Sequence, residues 1–159
     1  MDEATWDERI AAFWADADDE RPDAMWAALE PLLAERGADD AAALFERASL
    51  HDMLGDERQA VPLYQRAIAA GLDAGRDGFA AIQLGSTLRN VGRFDEAAEL
   101  LQTRVDDPDL GPAARAFLAL TRHDQGRHAE ALRLVLTDHA PNVPLYGRAL
   151  AEYSGLLTD

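Results

Sequence analysis

The chain of 159 residues contains no cysteine and no lysine. Without cysteine it has no disulfide, no thiolate nucleophile and no cysteine-ligated zinc site. All 15 basic residues are arginines, a bias typical of GC-rich bacterial genes, so we expect a bacterial source. No apolar run approaches the ~20 residues of a membrane span, and the acidic N-terminus lacks the basic start of a signal peptide. These absences predict a cytoplasmic protein with no membrane contact.

Basic charge is also scarce, since 30 acidic residues give the chain a net charge of −15. Thirteen of these acids lie in residues 1–40, together with only three arginines. The segment between Gly111 and Arg148, by contrast, contains five arginines and three acidic residues. Because there is no broad basic face, nucleic-acid binding is disfavoured. The acidic N-terminal part is either a solvated surface or a contact for a basic partner or another copy's tail.

Residues 1–37 have the pattern of an acidic helical hairpin. Trp6, Ile10 and Phe13 recur at helical spacing and predict an apolar face on the first helix. Pro22 suits the first turn of the second helix, where its missing N–H costs nothing. We expect that helix to run to about Arg36 and to stop at Gly37, although it contains Pro31 and an interior proline can kink or end a helix.

Three glycines, Gly55, Gly92 and Gly126, follow predicted helices at spacings of 37 and 34 residues. Glycine just past a helix end favours the left-handed conformation, so each should mark the bend of a helical hairpin. A small residue stands seven positions before each glycine and an alanine five positions after it. Such residues let two helices cross closely: Ala48, Gly85 and Ala119 before, and Ala60, Ala97 and Ala131 after.

The period and the string from Leu84-Gly85 through Gly92-Arg93-Phe94-Asp95-Glu96-Ala97 resemble the tetratricopeptide repeat. Together with the sequence strings at residues 43–48 and 83–90, this pattern makes the chain resemble a short bacterial family of such repeats that has no established activity. The resemblance implies an all-α fold, a right-handed α-solenoid of antiparallel helix pairs with about nine helices. One domain would span 1–159, made of the hairpin 1–37, the repeats 38–75, 76–109 and 110–140, and a capping helix 141–159. Leu145, Leu150, Tyr153 and Leu157 would cover the end of the stack.

The third repeat departs from the family pattern, because Arg115 and Arg122 stand at positions that are normally apolar. The first repeat has Glu57, and the third His128, where an aromatic residue is usual. These departures weaken the match of the third repeat more than the predicted architecture.

The resemblance further implies that the first helix of each repeat lines a concave groove for another protein or peptide. Arg89 and Asn90 could hold a carboxylate there. The alternative is self-assembly into a homodimer, through the acidic N-terminal part and the more basic tail or through Trp14 and Trp26. The residues that would line the groove are Phe45, Ser49, Asp52, Phe79, Ile82, Gln83, Ser86, Arg89, Asn90, Ala116, Leu120 and His123.

The sequence contains no recognisable catalytic or cofactor motif. His123 and His128 straddle the bend at Gly126 and do not share the helical face of a zinc site, so no metal site is expected. No serine stands in a nucleophile elbow, and no glycine-rich phosphate loop follows a strand. We therefore expect a protein that is not an enzyme and needs no cofactor.

Overall fold

A computed structural model describes residues 5–158, and the regular structure in this range is entirely helical. The prediction of an all-α chain with about nine helices is confirmed. The helices are α1 (Trp6–Ala15), α2 (Pro22–Ala34), α3 (Ala41–Met53), α4 (Glu57–Ala70), α5 (Ala74–Asn90), α6 (Phe94–Gln102), α7 (Gly111–Asp124), α8 (His128–His139) and α9 (Gly147–Ser154), with a 3₁₀ turn at Ala140–Asn142.

Internal contacts divide the chain into two compact units, Met1–Asp77 and Gly78–Asp159. We call these unit 1 and unit 2. The division falls within α5. The single solenoid domain and its right-handed twist stay predictions.

Each of the three helical hairpins bends at its predicted glycine. Gly55, Gly92 and Gly126 have φ values of +79°, +82° and +79°. In each case the residue after the glycine donates its backbone N–H to the carbonyl five positions back at 2.8 Å, and the glycine donates to the carbonyl three positions back at 2.9–3.0 Å. This is the Schellman motif, which satisfies the last carbonyls of a helix. The equivalence of the three bends is confirmed.

Unit 1 has its core where α1 and α2 pack near α3. Trp6 is buried, and its indole N–H donates to the Leu32 carbonyl at 2.8 Å. The guanidinium of Arg36 lies 4.4 Å from the Trp6 ring centroid, a cation–π distance. Arg9 on α1 forms a bidentate ion pair with Glu35, the residue after α2. Its two terminal guanidinium nitrogens lie 2.7 and 2.5 Å from the two carboxylate oxygens. The other core residues are Ile10, Met25, Leu29, Leu33, Ala43 and Leu50.

The second helix runs past Pro31, as expected, and α2 ends at Ala34, close to the predicted end at about Arg36. Pro31 is exposed and lies in the last turn of the helix. A missing hydrogen bond costs little there, since helix ends fray and their polar groups meet water.

Unit 2 depends on a close crossing of α5 and α6. Gly85 is buried, and a Cβ atom placed on it would lie 2.6 Å from Leu101 Cγ. Leu101 is itself fully buried with Ala98 and Leu118. The predicted role of Gly85 as the small residue at a helix crossing is therefore confirmed.

The two unusual arginines of the third repeat are paired with carboxylates inside unit 2. Arg115 donates to Asp138 at 2.6 Å and also to the Val105 carbonyl. Arg122 pairs with Glu130 at 2.9 Å. Because each guanidinium has partners, arginine replaces an apolar residue here without leaving an unpaired charge.

Helix α9 is present but buries only part of the predicted apolar set. Leu150 and Leu157 are half-buried, and Arg133 on α8 donates to the Leu157 carbonyl at 2.5 Å. Leu145 is 96% exposed and Tyr153 is 68% exposed, so the expectation that these two cover the stack is wrong.

Candidate functional site

The predicted groove residues of unit 1 lie against α4. Phe45 and Ser49 are buried, and the Tyr64 hydroxyl donates to Ser49 Oγ at 3.3 Å and to Asp52 at 3.5 Å. The rings of Phe45 and Tyr64 have centroids 6.0 Å apart. Burial raises the pKa of Tyr64, which keeps its hydroxyl protonated as a donor. This part of the predicted groove is packed within the helical hairpin.

In unit 2 the predicted residues of α5 behave differently. Phe79 is 53% exposed, Gln83 and Ser86 are half-buried, and Asn90 is exposed. Their spacing of four, three and four residues places them on one face of the helix. Ile82 belongs to the interior instead, at 7% exposure. Of the three predicted apolar anchors Phe45, Phe79 and Ile82, only Phe79 is exposed.

The predicted residues of α7 also share one exposed face. Ala116 and His123 are exposed, and Leu120 is 46% exposed. Their spacing of four and three residues matches that of the α5 residues. Leu120 is therefore a second apolar side chain that meets water on the first helix of a repeat.

An ion pair joins the two helices at one end. Arg89 near the end of α5 donates from Nε to Asp124 Oδ2 at the end of α7, at 2.6 Å. At 100° per residue, Arg89 lies on one flank of the α5 face and Asp124 on the opposite flank of the α7 face. Their contact indicates that the two faces point to the same side. The guanidinium of Arg89 is thus already paired with a carboxylate of unit 2. This corrects the expectation that it holds a carboxylate of a binding partner.

We call this surface the α5–α7 face; it consists of Phe79, Gln83, Ser86 and Asn90 on α5 and Ala116, Leu120 and His123 on α7. It has no acidic or arginine side chain, and the flanking Arg89 is neutralised by Asp124. The face therefore combines apolar anchors with polar side chains that are neither carboxylates nor guanidiniums. Within residues 5–158, no group of three or more histidine, aspartate or glutamate side chains is placed to hold a metal ion.

Sequence reasoning missed the buried charge cluster of unit 1. Glu46 is 3% exposed and accepts from Trp14 Nε1 at 2.7 Å and from Arg76 Nε at 3.1 Å. Arg76 also pairs with Asp7 at 2.5 Å and Asp73 at 2.8 Å. Burial raises the pKa of the Glu46 carboxyl, against the opposing hydrogen bonds. Nothing in the helical pattern of α3 distinguishes Glu46 from a surface glutamate, since its partners are distant in sequence.

A family profile described as "Tetratrico peptide repeat" matches residues 41–157, about three quarters of the chain. The chain belongs to the tetratricopeptide repeat family. Tetratricopeptide repeats generally mediate protein–protein contacts and generally act as non-catalytic scaffolds. The match includes α3 to α9, while α1 and α2 lie before it. Comparisons with curated proteins and with solved structures gave no match.

Every helix in the described range is too short or too polar to cross a membrane. The bacterial source and the cytoplasmic location stay predictions from composition. The α5–α7 face as a protein-binding site likewise stays a prediction.

Proposed function

We propose that the chain is a protein-interaction module that binds an extended peptide or a single helix on the α5–α7 face. The observation that carries this proposal is the exposure of Phe79 and Leu120 on the first helices of two successive repeats. Large apolar side chains grouped on one face lose contact with water when a partner covers them, which favours binding.

The polar residues of the face suit a peptide backbone. Ser86 and Asn90 can each donate and accept hydrogen bonds, as the amide groups of a peptide do. Because the face has no net charge, binding should depend on apolar contacts and hydrogen bonds more than on salt. A partner with apolar side chains at helical or extended spacing fits this chemistry best.

The test compares two leucines of nearly equal exposure in unit 2. Leu120 on the α5–α7 face is 46% exposed, and Leu132 on α8 is 48% exposed. Peptides selected from a random displayed library against the immobilised chain provide ligands of measurable affinity. Their dissociation constants are then measured by fluorescence anisotropy with wild type, Leu120→Ser and Leu132→Ser.

We expect Leu120→Ser to weaken binding about tenfold or more, because anchors at the centre of an interface carry most of its energy. Leu132→Ser should leave the affinity unchanged. Equal losses in both variants would show non-specific apolar capture, and a loss confined to Leu132→Ser would place the site on α8. Either result contradicts the proposal.

A second candidate is self-assembly through α9, supported by exposed apolar side chains around this helix. Leu145, Tyr146, Tyr153 and Leu156 are 68–96% exposed, and Leu145 lines a surface cavity of about 440 Å³. Arg148 and Glu152 pair at 3.0 Å on the same exposed side. Two copies of α9 packed antiparallel about a two-fold axis would set Arg148 of each against Glu152 of the other.

Sedimentation equilibrium tests this candidate. Self-association should be weakened by Tyr153→Ser, and by Arg148→Glu alone, but restored when Arg148→Glu is combined with Glu152→Arg. A wild-type chain that stays monomeric at every concentration excludes it. The predicted pairing of Trp14 and Trp26 loses support, because Trp14 donates a hydrogen bond to Glu46 and the Trp26 ring packs against His51 within unit 1.

A further inference from the structure

Two histidines meet across the bend of the third repeat. His123 lies in the last turn of α7, and His128 is the first residue of α8. The Schellman turn at Gly126 folds the chain back, so that the Nδ1 atoms of the two rings are 3.1 Å apart. Both residues are exposed. The sequence argument against a shared helical face does not exclude this meeting, because the turn, not a helix, brings the rings together.

The simplest interpretation is a hydrogen bond between two neutral imidazoles, in which one Nδ1–H donates to the other Nδ1. The ring centroids, however, are 4.7 Å apart and the ring planes are inclined by 52°. Rings whose Nδ1 atoms pointed straight at each other would have centroids farther apart, because each centroid would lie a full ring radius behind its nitrogen. The two nitrogens are therefore close without being collinear with their rings, which weakens a direct hydrogen bond.

We propose that His123 and His128 chelate one divalent transition-metal ion through their Nδ1 atoms. Imidazole is a preferred ligand of Zn²⁺, Ni²⁺ and Cu²⁺. Two nitrogens bound at 2.0–2.1 Å to a tetrahedral zinc ion are separated by about 3.3 Å, close to the separation found here. The remaining coordination positions go to water or to a ligand from a binding partner.

The charges around the histidine pair permit a cation. Arg122 and Arg127 flank the bend, and both pair with Glu130. Arg89 pairs with Asp124, and Gln125 donates to Asp95 at 2.7 Å. The three neighbouring guanidinium groups are thus matched by three carboxylates, those of Glu130, Asp124 and Asp95. Because the chain supplies two ligands, binding should be weaker than at a closed structural zinc site of four ligands.

The experiment uses the chain without a purification tag and titrates Zn²⁺, Ni²⁺ and Cu²⁺ by isothermal calorimetry at pH 7.5. The variants are His123→Gln, His128→Gln and the double variant. His139→Gln is the matched control, because His139 is also exposed and lies at the other end of α8. Thermal melting of each variant without metal checks that the fold is retained.

We expect one ion per chain, with Cu²⁺ bound most tightly. Either single variant should lose more than about tenfold in affinity, because the second ligand of a chelate binds at a high effective concentration. The double variant should lose little more than each single variant, and His139→Gln should match wild type. The proposal would be overturned if the affinity losses of the two single variants added up in the double variant. It would also be overturned if the single variants lost no more affinity than His139→Gln.

A second readout needs no variant. In ¹⁵N–¹H spectra of wild type, saturating Zn²⁺ should shift the Nδ1 resonances of two histidines, and of only those two. Ligation through Nε2 with the proton left on Nδ1, or ligation of one histidine alone, would show adventitious binding and contradict the chelate.

Discussion

The two units of the chain use charge and apolar surface in opposite ways. Unit 1 has 19 acidic residues against seven arginines, yet it buries a carboxylate, Glu46, between Trp14 and Arg76. Unit 2 has 11 acids against eight arginines. Among the described residues, eight of the nine exposed large apolar side chains belong to unit 2, and only Met53 belongs to unit 1. The described part of unit 1 therefore exposes little large apolar surface, whereas unit 2 exposes apolar side chains that a partner could cover.

The interiors differ as well. Unit 1 joins its elements through polar contacts over long sequence distances, such as Trp14 and Arg76 with Glu46. In unit 2, α5 and α6 pack closely because Gly85 has no side chain to hold them apart. Removing one member of a buried charge network destabilises the fold because it leaves an unpaired charge. Adding a side chain at a glycine where two helices cross destabilises it by overpacking. Each unit should therefore be sensitive to a different kind of substitution.

The largest effect is expected for Glu46→Ala in unit 1. The change leaves Trp14 Nε1 without an acceptor and takes one of three carboxylates from the largely buried Arg76. We expect a loss of about 3 kcal/mol in the free energy of unfolding, measured by urea denaturation. The control is Glu30→Ala, which removes an exposed ion pair with Arg47 and should cost less than about 1 kcal/mol. Equal losses would mean that the buried network is no stronger than a surface pair.

Gly85→Leu tests the crossing in unit 2. A leucine side chain would collide with Leu101, whose Cγ is already 2.6 Å from the position of a Cβ atom. Overpacking of this kind should cost about 2–3 kcal/mol. The control, Asn90→Leu, adds the same side chain at an exposed position of the same helix and should change stability by less than about 0.5 kcal/mol. Denaturation curves that coincide for the two variants would refute the crossing.

Arg89→Glu asks whether unit 2 also depends on an ion pair. The substitution sets two carboxylates against each other where Arg89 now meets Asp124, and both side chains are about one quarter exposed. We expect a loss of about 1–2 kcal/mol, most of it recovered when Asp124→Arg is added. Failure of the charge swap to recover stability would show that the pair does not join α5 to α7.

The smallest effect is a pH dependence of the Glu46→Gln variant. Because burial raises the Glu46 pKa, the folded state binds more protons than the unfolded state from about pH 4.5 up to the raised value. The stability of wild type relative to Glu46→Gln should therefore decrease as the pH rises from 5 towards 8. Thermal melts across this range measure the difference.

Asp73→Asn is the control for this titration. The hydrogen bond from Arg76 lowers the Asp73 pKa, so its contribution is lost only below the ordinary value of 3.8. Its difference from wild type should stay constant between pH 5 and 8. A constant difference for Glu46→Gln as well would mean that Arg76 and Trp14 outweigh the burial of the carboxylate.

Local patterns predicted the helices well. The bends at Gly55, Gly92 and Gly126 were predicted because a left-handed residue after a helix requires glycine, a requirement that depends on the backbone alone. The role of Gly85 followed from its place seven residues before such a bend. The second helix continues past Pro31 as predicted, because the cost of a proline depends on how near the helix end it lies.

Exposure on the candidate surface was predicted less well. Phe45, Phe79 and Ile82 all occupy groove positions of the repeat pattern, but only Phe79 is exposed. Helical periodicity says which side chains share a face. It does not say what else packs against that face, since the covering residues are distant in sequence.

The amino-acid sequence by itself determined the helical class, the repeat period and the glycine bends, because these follow from local spacing and backbone sterics. Only the tertiary structure decided that Arg89 pairs with Asp124, that Trp14 and Arg76 enclose Glu46 and that His123 meets His128. Each of these contacts joins side chains from different helices. Their energies depend on distance and burial in space, which one-dimensional periodicity does not contain.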